Sequence, residues 1–289
     1  MRVILISLLS ALLCSTQAPV RLRISAQAGT LQPGSLVLLT ITSDSPLATV
    51  RARAFNHDLA PFSVGEDGRT WQVLVGIDLD VKAGAHPVDV DAGSAETRVT
   101  YSLVVKPRRF PTRTLKVNPD LVNPPPEAME RIAREAAQLR RLWGAPPGAR
   151  LWSGPFVRPV PDEANSSFGT RSIYNGQARS PHGGADFLSP TGRPIKAPNA
   201  GRVVLAGPLY FTGGTVVIDH GLGVYSLFAH LSTIGVREGD AVKTGDVVGE
   251  VGATGRVTGP HLHWTVRVGA ARVDPLSLLA VLGSRSAGL

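Results

Sequence analysis

Five of the seven histidines fall between positions 182 and 263, and two of the spacings among them could do chemistry. In His182-Gly183-Gly184-Ala185-Asp186 an imidazole and a carboxylate stand four residues apart, and in an extended segment positions i and i+4 face the same way. The two glycines let the backbone approach a ligand closely. In His261-Leu262-His263 two imidazoles stand at i and i+2, again on one strand face, with Cβ atoms roughly 6–7 Å apart by the strand rise. Two such histidines can share one metal, or one can bind while the other does acid–base work. Together the two segments supply N, O and N donors, a set suited to zinc. Three protein ligands leave a fourth position for water, which marks a catalytic rather than a structural zinc site. Bound zinc lowers the pKa of water to about 7 and polarises a carbonyl. The single cysteine, Cys14, excludes both a disulfide scaffold and a closed structural site of Cys and His ligands.

Strands and turns must position these side chains. From about Ser166 to Pro275 the chain reads as short apolar strands punctuated by glycine, including Val203–Leu205, Thr215–Ile218 and Val247–Val251, with no βαβ rhythm. From about Val20 to Lys106 it is period-2 and rich in Val, Leu and Thr. Leu36–Ile41, Trp71–Val75 and Val99–Val105 read as strands, with turns at Pro33-Gly34, Asp67-Gly68 and Ala83-Gly84. That pattern predicts a small β-sandwich of immunoglobulin-like shape. Between the two lies a connector, residues 107–161. Its Pro124-Pro125-Pro126 cannot be helix interior, but Glu127 to Trp143 predicts a helix with a packing stripe of Met129, Ile132, Ala136, Leu139 and Trp143. Arg140 and Arg141 complement the macrodipole, and Gly144 and Pro146-Pro147 end the helix.

Met1-Arg2 precedes an apolar stretch, Val3 to Leu13, and then Ser15-Thr16-Gln17, which predicts a secretory signal over residues 1–18. No later apolar run reaches the roughly 20 residues needed to span a bilayer, so the mature chain carries no expected membrane segment. The formal net charge is +8, and the stretch from Lys106 to Arg150 holds ten basic against four acidic residues. Such an excess attracts an anionic partner: nucleic acid, a membrane surface or a wall polymer. No helix-turn-helix, finger or aromatic stacking motif accompanies it, so nucleic acid is not the expected partner.

Four segments then carry a resemblance: Ser167-Phe168-Gly169-Thr170-Arg171, Ser180-Pro181-His182-Gly183-Gly184-Ala185-Asp186-Phe187, Ser226-Leu227-Phe228-Ala229-His230-Leu231 and Thr258-Gly259-Pro260-His261-Leu262-His263-Trp264. In this order they resemble the lysostaphin/LytM-type zinc endopeptidases, also called duplicated-hybrid-motif metallopeptidases. The preceding sandwich and helical linker resemble the N-terminal parts of exported bacterial members. The resemblance implies a mostly β chain in four parts: signal 1–18, accessory sandwich 20–106, linker 107–161 and a β-sheet, LytM-like peptidase domain 162–289.

The same resemblance implies roles. His182 and Asp186 match the first two zinc ligands and His263 the third, for one Zn2+ per chain. His261 matches the catalytic histidine that acts as base on water, and His230 a second one that orients water or stabilises the tetrahedral oxyanion. Arg171 matches a recurrent residue near the cleft, and His220 a structural turn. Phe228 stands where many members carry Tyr, so a phenol donor is missing there. The implied activity is hydrolysis of peptide bonds in peptidoglycan stems or cross-links, in a Gram-negative periplasm, with the N-terminal domain a candidate for docking or self-inhibition. The alternative is a catalytically silent regulator that binds peptidoglycan and activates another cell-wall hydrolase. No ligand position is vacant, which favours the enzyme.

Overall fold

A computed structural model of the protein describes residues 20–93, 97–116, 123–164 and 168–284. The expected signal segment and Cys14 lie outside the described residues. The chain opens with eight strands: β1 (Leu22–Gln27), β2 (Leu36–Ser43), β3 (Val50–Ala54), β4 (His57–Leu59), β5 (Phe62–Ser63), β6 (Thr70–Gly76), β7 (Gly84–Ala92) and β8 (Arg98–Val105). They form two four-stranded antiparallel sheets in the orders β1-β2-β6-β5 and β4-β3-β7-β8. This is the strand arrangement of an immunoglobulin-type sandwich. Alternation builds its core. Val50, Ala52 and Ala54 point inward while Arg51 and Arg53 point out, and they meet Val37, Leu39, Ile41, Val73 and Val75 of the facing sheet. β2 breaks the alternation because both of its faces are covered. Leu36 and Leu38, opposite in phase to Val37 and Leu39, are buried in a second core.

That second core belongs to a nine-stranded sheet. Its strands are β12 (Gly184–Phe187), β13 (Pro194–Lys196), β14 (Gly201–Leu209), β15 (Gly213–Asp219), β16 (Val224–Ile234), β17 (Ala241–Val242), β18 (Val247–Val251), β19 (Leu262–Val268) and β20 (Ala271–Val273). The main path runs β12-β19-β16-β15-β14-β17, every pair antiparallel. Ala185, Phe187, Val216, Ile218, Phe228, Leu262, Trp264 and Val266 fill one face. The C-terminal helix α2 (Pro275–Leu282) closes that face, its first turn capped by Asp274, whose side chain accepts from the Leu276 N–H.

The connector is built into this body. β9 (Thr112–Leu115) pairs in parallel with β10 (Arg171–Tyr174), which continues through a tight turn into β11 (Gln177–Ala178). α1 (Pro126–Trp143) begins with proline at a position that needs no N–H, and ends at Gly144, whose N–H donates to the Arg140 carbonyl. Leu139, Leu142 and Trp143 pack on the other face of the large sheet, against Leu205, Leu209, Val217, Tyr225, Leu227 and Ala229. The expected stripe fails at its start. Ala128 takes the inward position of the first turn, and Met129, about 100° further round the helix, is 53% exposed. Trp152, Phe156 and Val160, at the far end of the connector, lie in the core of the large sheet.

Sandwich and sheet meet through Leu36, Leu38, Phe62 and Leu74 and through Arg272, which makes a fork to Asp78, at 3.0 and 2.5 Å, and also reaches Asp80 at 2.7 Å. Arg108 of the connector adds an ion pair to Asp274 at 3.1 Å. Among the described residues no helix is long and apolar enough to cross a membrane.

Candidate metal centre and cleft

Register across β12, β19 and β16 creates the centre of the site. Asp186 stands opposite His263, and Ala229 stands opposite His263 on its other side. Opposed residues share a face, so Asp186 and His263 point away from the core face that Phe187, Leu262 and Trp264 occupy. His182, just ahead of β12, is held by its N–H to the Thr170 carbonyl and its carbonyl to the Gly169 N–H, at 2.9 and 2.7 Å. Its Nε2 lies 3.0 Å from Asp186 Oδ1, and His263 Nδ1 lies 2.9 Å from the same oxygen. One donor atom from each of the three residues lies within 4.8 Å of the others. The two short separations are close to the edge of roughly 3.3 Å expected of a tetrahedron with metal–ligand bonds of about 2.0–2.1 Å. His263 Nε2 faces the Thr265 hydroxyl at 2.9 Å. That hydroxyl can accept Nε2–H and so leave the Nδ1 lone pair directed at the cluster. Donor type, spacing and this outer partner all fit a divalent metal of the zinc kind.

Gly184 makes the packing possible. A Cβ there would run into the Trp264 carbonyl and come within 2.9 Å of the His263 ring.

The remaining two imidazoles arrive by different routes. His261 precedes β19, with Nδ1 2.9 Å from the Gly259 carbonyl and Nε2 3.8 Å from Asp186 Oδ1. His230 arrives through a β-bulge. β15 and β16 pair Val216 with Phe228 but Gly214 with Leu231, so β16 carries an extra residue. His230 takes φ +68°, in the left-handed region. Without the bulge, His230 would follow Phe228 onto the core face, because positions two apart share a side. With it, the ring lies 4.9 Å from that of His261 and 6.0 Å from that of His263, and Nδ1 lies 2.9 Å from the Thr254 carbonyl. A carbonyl only accepts, so in both His230 and His261 Nδ1 carries the hydrogen. In the neutral rings Nε2 is then the acceptor.

Electrostatics follow from burial and crowding. Burial alone would raise the Asp186 carboxyl, but in the metal-free site hydrogen bonds from His182 Nε2 and from His263, when its proton sits on Nδ1, outweigh it and hold the group far below the ordinary carboxylate range; a bound metal would take the place of those two protons. Burial, then repulsion from His263 and His261, pushes His230 down to about 4 against the Thr254 hydrogen bond. Burial also lowers His263.

All five expected residues, His182, Asp186, His230, His261 and His263, line one cleft of about 570 Å³. Two other expectations change. Arg171 does not line the cleft; β10 alternates, and it is Ser172 and Tyr174 that face it. Phe228 is fully buried on the core face and stacks with Trp264, so a tyrosine at 228 would offer its phenol to the core and not to substrate. His220 lies apart and buried, its Nδ1 2.8 Å from the Ala200 carbonyl and its Nε2 3.0 Å from the Ser226 hydroxyl. The cleft also holds residues that spacing did not mark: Tyr174, Phe211, Arg113, Arg179 and Arg256. Thr265 was readable in principle, two residues from His263 on the same strand face. Arg113 carried no signal at all, because it comes from the connector.

Fold and cleft together define a mostly β domain that presents a candidate metal site at an open groove. Residues 180–275 match the family model described as peptidase family M23. A solved structure assigned to peptidase M23 from Pseudomonas aeruginosa superposes with a TM-score of 0.67 at 32% identity, covering 88% of this chain and 96% of that one. The chain belongs to peptidase family M23. The DD-carboxypeptidase/endopeptidase Mpg of Neisseria meningitidis serogroup B is 42% identical over 97 residues, 34% of this chain and 22% of that protein. The peptidoglycan DD-endopeptidase ShyA of Vibrio cholerae is 38% identical over 113 residues, 39% of this chain and 26% of that protein. The chain thus spans about a quarter of the length of these curated relatives.

Proposed function

We propose that this chain is an exported zinc endopeptidase that hydrolyses peptide bonds of peptidoglycan stems or cross-links. The observation that carries the reading is the convergence of five side chains, His182, Asp186, His230, His261 and His263, on one cleft. Relatives named as peptidoglycan DD-endopeptidases support the substrate class.

His182 Nε2, the Asp186 carboxylate and His263 Nδ1 would hold one zinc ion per chain. Zinc in that position supplies a Lewis acid for the scissile carbonyl and makes a nearby water more acidic. His261, with Nδ1–H on the Gly259 carbonyl, offers Nε2 as the base that takes a proton from the attacking water and returns it to the leaving amine. His230 is neutral at pH 7, so of the two roles the family allows it the geometry favours orientation: its Nε2 accepts a hydrogen bond from that water. The Thr254 and Gly259 carbonyls, both in the loop between β18 and β19, set the tautomers of the two rings. Residues 1–18 direct export to a Gram-negative periplasm in this reading. The sandwich of residues 20–106 is then an accessory domain for docking or self-inhibition.

The test is digestion of purified sacculi of known chemistry by zinc-loaded protein, with mass spectrometry of the fragments, wild type beside His261→Ala. Cleaved cross-links from the wild type alone are expected. Intact sacculi with wild type, together with stimulation of a separate amidase, would favour the regulator instead.

A further inference from the structure

Of the three candidate metal ligands, Asp186 and His263 are fixed by strand pairing inside the large sheet, whereas His182 precedes β12. Its backbone is held by a short ladder to the segment ahead of β10. The Gly169 N–H donates to the His182 carbonyl at 2.7 Å, and the His182 N–H donates to the Thr170 carbonyl at 2.9 Å. Where His182 stands relative to the other two donors therefore depends on what holds residues 168–170.

That segment rests on the connector. Phe168 is buried, and its ring meets that of Phe110 edge-on, with centres 6.4 Å apart. Gly169 lies so close to Phe110 that a Cβ there would overlap the ring. The Arg171 N–H donates to the Pro111 carbonyl at 2.9 Å, and β9 then runs beside β10. Arg108 joins this cluster to the sandwich. Its Cζ lies 4.8 Å from the centre of the Phe110 ring and 5.6 Å from that of Phe168. Nη1 donates to the Pro33 carbonyl in the sandwich at 3.0 Å, and Nη2 donates to Asp274 Oδ2, at the cap of α2, at 3.1 Å. Both charged side chains are largely buried, at 19% and 8% exposure. Beside Pro33, Gly34 has φ +90° and sits so close to Phe168 that a Cβ would collide with its ring. The sandwich turn between β1 and β2 thus meets the aromatic pair both directly and through Arg108.

We propose that Arg108 is a positioning residue that carries the docking of the sandwich through Phe110 and Phe168 to His182, and so sets the metal affinity of the cleft. The identity of the metal rests on the zinc peptidase reading. One planar group serves a carbonyl, a carboxylate and two rings at once. Lysine could keep the attraction to Asp274 but could not hold both acceptors in a fixed fork and stack on the rings. Among the described residues none from the sandwich lines the cleft, so its influence there has to travel through contacts of this kind.

The experiment compares full-length wild type, R108M, R108K and D78A. D78A removes the fork to Arg272, a separate link between sandwich and sheet, and so controls for loosened docking as such. Two quantities are read: hydrogen exchange of the Gly169 and His182 amides in metal-free protein, and zinc affinity by competition with a chelator. In R108M both amides should exchange about 10-fold faster, as local opening becomes easier. Zinc should bind about 10-fold more weakly, as for other outer partners of metal ligands. R108K should fall between R108M and wild type, and it carries the test if R108M fails to fold. D78A should lower the urea midpoint yet keep both quantities within about twofold of wild type. Wild-type exchange rates in R108M and R108K overturn the proposal, as does wild-type zinc affinity in both, or an equal loss in D78A. Exchange is read without metal. A wild type that binds no zinc, or binds it and cuts nothing, therefore counts against the peptidase reading, while the exchange rates still decide the coupling.

Discussion

Asp186 and His263 stand directly opposite each other on adjacent antiparallel strands, with Asp186 Oδ1 2.9 Å from His263 Nδ1. The donor pair is therefore a property of strand register. A slip of one residue would turn Asp186 toward the face occupied by Trp264 and Phe187 and dismantle the site.

Gly184 protects that register. Gly184→Ala should cost about 1–3 kcal/mol, in the range for overpacking, because the new methyl group has only the Trp264 backbone and the His263 ring to move. Urea unfolding measures the cost, and a metal titration should show weaker binding as His263 is displaced. Unchanged values in both would contradict the close packing described here.

Thr265 should matter to metal binding without touching the metal. Thr265→Val removes the hydroxyl that faces His263 Nε2 and keeps the shape of the strand. Zinc affinity, measured by competition with a chromophoric chelator, should fall about 10–100-fold, as for other outer partners of ligating histidines. His182→Ala should lose zinc altogether.

Phe228→Tyr separates core from cleft. The ring is fully buried against Trp264, so an added hydroxyl lacks an obvious partner and should destabilise by about 1–3 kcal/mol. Hydrolysis by the folded fraction should not rise. A faster variant would mean that position 228 reaches substrate after all.

The buried His220 gives stability a pH dependence. Burial depresses its pKa from 6.5 to about 4, against the Ala200 hydrogen bond. The depressed value favours the neutral ring in the fold, so its contribution is intact above pH 6.5. It is lost as pH falls toward 4, where the unfolded chain takes up the proton and the folded chain does not. That gap corresponds to about 3 kcal/mol at the acidic end. Metal-free wild type and His220→Gln should therefore converge in stability between pH 7 and 4.5, by urea unfolding. Parallel curves would exclude this linkage. His230 and His263 also titrate low, which is why the difference between the two proteins is the quantity to read.

Local pattern was enough for much of this protein. Alternating residues such as Val50-Arg51-Ala52-Arg53-Ala54 mark strands because each side chain faces either core or water. Pro126 and Gly144 bound α1 because each satisfies a backbone requirement at its own position. Four residues of the cleft, His182, Asp186, His261 and His263, were legible for the same reason, as spacings a few positions long, whereas His230 stood out only through the resemblance of its segment to a known family. Contacts between distant segments were not legible. Leu36 and Leu38 break the alternation of β2 because a second body covers their face, and Met129 faces out because the way α1 docks turns its first helical turn. The bulge that swings His230 out of the core, the register that sets Asp186 against His263, and the arrival of Arg113 from the connector depend on which strands become neighbours. Sequence by itself singled out side chains able to do the chemistry, since residue type, short spacing and the resemblance are all local. Only the tertiary structure decided which way each one points and what it meets, since pairing across more than seventy residues, as between Asp186 and His263, is settled by packing of the whole sheet.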